Sequence, residues 1–156
     1  MASRRKTGFR AYRICKNFFP VLSGDGAARY PGRWNSLGRP LVYACETFSG
    51  AMLEILVHAN IGRPPRDLHF AAIVIPPSVA IEELSTPDVE DRSDVETTRL
   101  LGDAWYARGR TAVLLVPSAV TRVERNALIN PAHPDFARIR ASAPKPVVWD
   151  RRLFRG

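Results

Sequence analysis

Glu54 and His58 stand four residues apart in AMLEILVH, a stretch that is otherwise apolar. On a helix that spacing projects a carboxylate and an imidazole from one narrow stripe. Two readings stand. The stripe faces water as an i,i+4 pair contributing about 0.2–0.5 kcal/mol, or it lines a cleft, where ionisable groups on a greasy element mark a functional site. A second constellation is Tyr30-Pro31-Gly32-Arg33-Trp34-Asn35-Ser36-Leu37-Gly38. Its glycines permit close backbone approach, Arg33 offers a planar fork of donors for phosphate oxygens, and Trp34 or Tyr30 can stack on a ring. Composition alone favours a surface turn whose Trp34 tucks into the core. Ser118, after Val116-Pro117, either donates to a ligand or forms a turn, and standing alone the turn is favoured. Asn126, Asn130 and His133 read the same way, as contact residues or as turns.

Local patterning supplies the elements that carry these residues. Residues 10–15 alternate and predict a first strand, and residues 17–40 are dense in Gly, Pro, Ser and Asn. A loop that long inside a compact domain is a site candidate by length alone. Within it, Gly24-Asp25-Gly26 lacks the third glycine and the helix start of a dinucleotide fingerprint and is set aside. Residues 41–45 predict a buried strand, followed by a helix over 51–59, capped by Thr47 or Ser49 and stopped by Gly62 and Pro64. Strands are predicted over 70–75 and 80–84. A capping box of Ser93 and Glu96 opens a helix through Leu100, Leu101, Trp105 and Tyr106 that stops near Gly109. Residues 111–116 form the clearest strand; 122–129 are extended, 134–139 a short helical turn and 146–149 a last strand. The pattern is mixed, α/β or α+β.

The chain has 156 residues, the size of one domain. Its longest apolar runs fall far short of the roughly 20 residues that span a bilayer, so no membrane segment is expected. Cys15 and Cys45 make no disulfide framework and suit a reducing cytoplasm, with Cys45 read as a small core hydrophobe rather than a nucleophile beside His58. Three histidines lack metal-ligand spacing, so no metal is expected. Lys and Arg number 23 against 15 Asp and Glu, a net +8 concentrated at both ends. Between them lies an acidic tract from Glu82 to Glu96. Such a chain attracts anions, whether nucleic acid, a phosphorylated small molecule or an acidic partner. One alternative is therefore a module without catalysis that docks nucleic acid or a protein on its basic surface, with Phe9, Tyr12, Phe18 and Phe19 interleaved among the N-terminal charges.

Taken in order, GRWNSLGRPLVY, AMLEILVH, LLVPS and ERNALINPAHPDF resemble the RES domain, named for an arginine, a glutamate and a serine. The resemblance runs from about Tyr12 to Phe136, with Pro31 standing where many members have a glycine. It puts the arginine on Arg33, the glutamate on Glu54, the serine on Ser118 and the strand aromatic on Tyr43. It implies an α+β domain over residues 1–156 with basic terminal extensions, whose split mixed β-sheet and flanking helices are similar to the ADP-ribosyltransferases. It further implies a growth-inhibiting cytoplasmic toxin of a bacterial type II toxin–antitoxin pair that uses NAD+ as substrate without metal. Such a toxin moves ADP-ribose to a protein, among them nucleotide-synthesis enzymes, or degrades NAD+ by hydrolysis or phosphorolysis. The implied partner is an antitoxin with a helix-turn-helix region that covers the cleft, so that DNA is met only through it. Under this resemblance Glu54 is the catalytic carboxylate, Arg33 clamps the diphosphate, Tyr43 stacks on nicotinamide, Ser118 bonds nicotinamide or its ribose, and His58 contacts ribose or phosphate. Cleavage of the nicotinamide–ribose bond builds positive charge on the sugar, which is why a fixed carboxylate is the group required.

Overall fold

The alternating first segment forms strand β1 (Phe9–Lys16), and the apolar run after the long loop forms β2 (Val42–Cys45). The computed structural model describes residues 2–59, 62–89 and 94–154. The long loop is not structureless, because a five-residue helix, α1 (Asp25–Arg29), follows Gly24 where the sequence reading saw no helix start. Helix α2 (Phe48–His58) opens at Thr47, whose hydroxyl accepts from the Gly50 amide at 2.9 Å. Strands β3 (Leu68–Ile75) and β4 (Ile81–Glu83) follow. Helix α3 (Val95–Arg108) is capped by Asp94, which accepts from the Glu96 and Thr97 amides, and ends at Gly109. The expected cap, Ser93, lies outside the described residues. Strands β5 (Val113–Pro117) and β6 (Arg125–Ile129) precede a helical turn over Pro134–Arg138. Short strands β7 (Arg140–Ala141) and β8 (Lys145–Pro146) complete the sheet, so the expected last strand over 146–149 shrinks to two residues, one a proline without an amide donor.

The strands form one mixed sheet in the order β4-β5-β6-β2-β1-β3-β7, with β8 also on β3. Among the described residues only β4 and β5 pair in parallel, and the chain between them carries α3, the crossover that a parallel pair requires. β5 is buried along its whole length, with Val113 and Leu115 in one apolar cluster and Leu114 and Val116 in another, which explains its unbroken apolar run. The fold class is thus α+β, as expected.

Pairing is uneven across the sheet. β1 pairs with β3 over all eight of its residues, from Phe9 opposite Ile75 to Lys16 opposite Leu68. β2 pairs with β6 over all four of its own. Between β1 and β2 the register holds a single pair, Tyr12 opposite Cys45. Beyond it the ladder gives way to a side chain: the Arg13 guanidinium donates to the Tyr43 and Ser23 carbonyls, each at 3.3 Å. The sheet is therefore split. Phe48 of α2 closes over the join, its ring meeting Tyr12 edge-on at 6.2 Å and Phe70 at 4.5 Å between centroids.

Arg125 ties the strands together on another side, donating to Glu46 (Nη2 to Oε1, 2.5 Å) and to Glu83 (Nη1 to Oε1, 2.8 Å). Its hydrogen bonds hold the Glu46 carboxyl below the ordinary range although partial burial opposes this. A depressed carboxylate stabilises the fold above its unfolded pKa, and that stability is lost as pH falls through the folded value. Arg125→Ala is expected to cost about 1–3 kcal/mol at pH 7 by urea unfolding, with the gap to the parent narrowing below about pH 4; an equal gap at pH 3 would contradict the pairing. Burial, with the charges of Glu54 and Glu124, pushes the Cys45 thiol up to about 12. Iodoacetamide at pH 8 should leave Cys45 unlabelled in the folded protein and label it after unfolding, and labelling at the same rate in both states would refute its core placement.

Candidate active site

Where β1 and β2 part, a cleft of about 860 Å³ opens. Tyr12, Arg13, Ile14 and Lys16 of β1 line it, as do Tyr43, Ala44 and Cys45 of β2, Glu54, Ile55, Val57 and His58 of α2, the turn from Gly32 to Trp34, and Asn126 of β6. Glu54 and His58 both line this cleft, Glu54 half-buried and His58 exposed. Glu54 and His58 do not pair through their side chains. The His58 Nδ1 donates to the Glu54 carbonyl at 2.9 Å, within the last turn of the helix. The Glu54 carboxylate instead accepts from Asn126 Nδ2 at 2.9 Å.

Asn126 corrects the turn reading. It sits within β6, opposite Cys45 on one side and Val116 on the other. Its signal in the sequence is period two in RNALI: Asn126 shares a face with Leu128, which is fully buried, so a polar amide occupies an inward position of a core strand. Asn126 is half-buried at the cleft, and its amide finds a partner there in Glu54.

The Arg33 turn is folded around Asn35, which is fully buried. Asn35 Oδ1 accepts from the Gly32 amide at 3.0 Å and from the Tyr43 hydroxyl at 2.5 Å, while Nδ2 donates to the Ala27 carbonyl at 2.7 Å. The Tyr43 hydroxyl also accepts from the Trp34 amide at 3.2 Å. Burial pushes the Tyr43 phenol well above its ordinary value, so it remains a neutral donor. Gly32 is required by this contact, because a Cβ there would lie 2.7 Å from the Tyr43 hydroxyl. Tyr43 thus presents its ring to the cleft while its oxygen holds the turn. Trp34 tucks into the core at 4% exposure, as composition suggested, and Tyr30 stands at the cleft's rim with 78% exposed.

Arg33 and Glu54 therefore share one cavity with Tyr43 and His58, whereas Ser118 is not among its lining residues. The Ser118 hydroxyl accepts from the Thr121 amide at 3.0 Å and closes the turn between β5 and β6, while its neighbours Pro117, Ala119 and Val120 line the cleft. Two cations that the sequence reading counted only as N-terminal charge, Arg13 and Lys16, also reach the cleft. Lys16 donates to the Arg66 carbonyl at 2.9 Å. The excess of cations over carboxylates suits an anionic ligand. Among the described residues no cluster of three or more His, Cys, Asp or Glu has the geometry to hold a metal ion, and no helix is long and apolar enough to cross a membrane.

The nucleic-acid alternative draws on the basic ends and on four aromatics interleaved with the N-terminal charges. Phe9 is instead buried between two guanidiniums, Arg5 at 5.1 Å and Arg125 at 5.8 Å, and Tyr12 packs under Phe48. Only Phe18 and Phe19 are exposed, stacked on each other at 4.7 Å.

Known proteins share this architecture. The solved MbcT-MbcA toxin-antitoxin complex of M. tuberculosis contains a chain that matches with a TM-score of 0.73 and 19% identity, covering 88% of this chain and 83% of that one, a likeness of fold. In sequence, the Prs ADP-ribosylating toxin of Sphingobium sp. (strain YBL2) is 39% identical over 142 residues, 86% of this chain and 87% of that protein. The NAD(+) phosphorylase MbcT of Mycobacterium tuberculosis (strain ATCC 25618 / H37Rv) is 27% identical over 103 residues, 60% of this chain and 54% of that protein. The RES domain family matches residues 10–150, nearly the whole of the split sheet and every residue of the cleft, and the chain belongs to that family.

Proposed function

We propose that this protein is a toxin of a type II toxin–antitoxin pair that breaks the nicotinamide–ribose bond of NAD+ and passes ADP-ribose to a protein, phosphate or water. The observation that carries this reading is the single cleft shared by an anchored carboxylate, Glu54, and the cations Arg13, Lys16 and Arg33. The names of the Sphingobium and mycobacterial relatives, an ADP-ribosylating toxin and an NAD(+) phosphorylase, support the substrate.

In the reaction the glycosidic electron pair leaves with the nicotinamide nitrogen, and positive charge develops on the ribose. Glu54 steadies that charge or holds a ribose hydroxyl, and the Asn126 amide fixes the carboxylate in place before substrate arrives. Arg33 clamps the diphosphate with a bidentate contact and sets the pose of the dinucleotide. The Tyr43 ring stacks on nicotinamide. His58 has its Nδ1 committed to its own helix, so Nε2 is the atom for ribose or phosphate. Ser118 shapes the cleft through the turn it closes, whose Pro117, Ala119 and Val120 line it. The antitoxin, carrying a helix-turn-helix region, covers the cleft and restrains the toxin in the cytoplasm. Nucleotide-synthesis enzymes are the protein acceptors in view.

Purified protein without antitoxin is expected to release nicotinamide from NAD+. Glu54→Ala should lose ~10²-fold or more of that rate, and undiminished release would remove Glu54 from catalysis. Arg33→Ala should chiefly weaken NAD+ binding by calorimetry, and unchanged affinity would remove it from the site. Products identified with and without phosphate assign the acceptor: ADP-ribose for water, ADP-ribose 1″-phosphate for phosphate, labelled protein for transfer.

A further inference from the structure

Helix α3 contributes no side chain to the cleft lining, yet its inner face is spent on the turn that presents Arg33. Thr98 Oγ1 donates to the Arg33 carbonyl at 2.9 Å. Arg99 forks onto the Gly32 carbonyl, from Nε at 3.1 Å and Nη2 at 3.0 Å. Asp103 accepts from the Ser36 amide at 3.0 Å and from the Ser36 hydroxyl, and its carboxylate also takes the Arg39 guanidinium at 2.8 Å. Between them Gly102 lies so close to the turn that a Cβ would stand 2.0 Å from the Trp34 carbonyl oxygen.

These four residues, at i, i+1, i+4 and i+5, occupy one side of the helix. Their contacts with Gly32, Arg33 and Trp34 go to main-chain atoms alone, and with Ser36 to the main chain and hydroxyl. The clamp therefore sets where the backbone of the turn runs. A flexible arginine is a precise ligand clamp only when its Cα and the direction of its side chain are fixed beforehand, since ordering it on binding costs affinity.

We propose that α3 is a positioning element for Arg33: Thr98, Arg99, Gly102 and Asp103 fix the main chain of residues 32–36 so that the guanidinium is held ready for the diphosphate of NAD+. This rests on the functional reading above. The helix acts on substrate affinity, and the bond-breaking step at Glu54 is indifferent to it. Sequence gives no motif for such a role, because the contacts come from a helix more than 60 residues downstream of the turn.

The test uses Arg99→Ala, which removes the fork and leaves a good helix former, and Asp103→Asn as a near-isosteric second variant; Gly102→Ala is the steric counterpart and risks misfolding. Arg99→Ala should raise KM for NAD+ about tenfold or more with kcat within about threefold of the parent. In an Arg33→Ala background the same substitution should change NAD+ affinity less than twofold, because partners in one unit are not additive. Hydrogen exchange should quicken in the peptide covering residues 32–36 while β5 and β6 keep their protection. Equal losses in the two backgrounds, or unchanged exchange at residues 32–36, would overturn the positioning role. A parent that binds and cleaves NAD+ with no rise in KM for either variant overturns the clamp alone. If the parent neither binds nor cleaves NAD+ while the variants show the faster exchange at residues 32–36, the functional reading falls and with it the assignment of the clamp to that substrate.

Discussion

The molecule depends on a ladder that stops early. β1 and β2 meet at one residue pair, Tyr12 with Cys45, and past that point neither strand has the other as a hydrogen-bonding partner. Unpaired backbone groups inside a protein are costly, and the chain meets part of this cost with Arg13, whose guanidinium takes the Tyr43 and Ser23 carbonyls. The space between the parting strands is the cleft. Had the ladder continued, the sheet would be complete and nothing would separate the two walls on which Arg13 and Tyr43 stand.

Two kinds of rigidity meet at this opening. The carboxylate wall is fixed by elements next to one another in the sheet, since β2 leads directly into α2 and β6 supplies the amide that holds Glu54. The cationic side depends on a turn with little regular structure, which is folded around a buried asparagine and backed by a helix. Charge distribution follows from this division. Several cations and one anchored anion in a common cavity favour a ligand that is anionic along its length and turns cationic at one atom during reaction.

Much of this was legible in the residues. The run over 111–116 reads as the clearest strand, and AMLEILVH as a helix with one polar stripe facing either water or a cleft, so the placement of Glu54 on a cleft wall was within reach. Arg33 stands out in the long loop, and Tyr43 comes with the resemblance to the RES domain. The split itself was not legible, because it arises from pairs that do not form, and no local pattern encodes a missing ladder. Asn126 falls in a stretch that reads as extended but stays open between contact residue and turn, because the Asn-Pro step four residues later at Asn130-Pro131 carries turn chemistry. The five-residue helix α1 was hidden by the glycines around it. Ser118 carried a chemical side chain, but its hydroxyl found a nearer amide in its own turn. The role of α3 lay in contacts far apart in sequence, which composition does not report.

The anchoring of Glu54 by Asn126 has a consequence for the timing of synthesis. Translation yields the carboxylate long before the amide, and β2 holds one pair, to β1, until β6 leaves the ribosome to lie beside it. A nascent chain or a fragment ending ahead of residue 125 thus lacks both the amide that holds Glu54 and the strand that pairs all of β2.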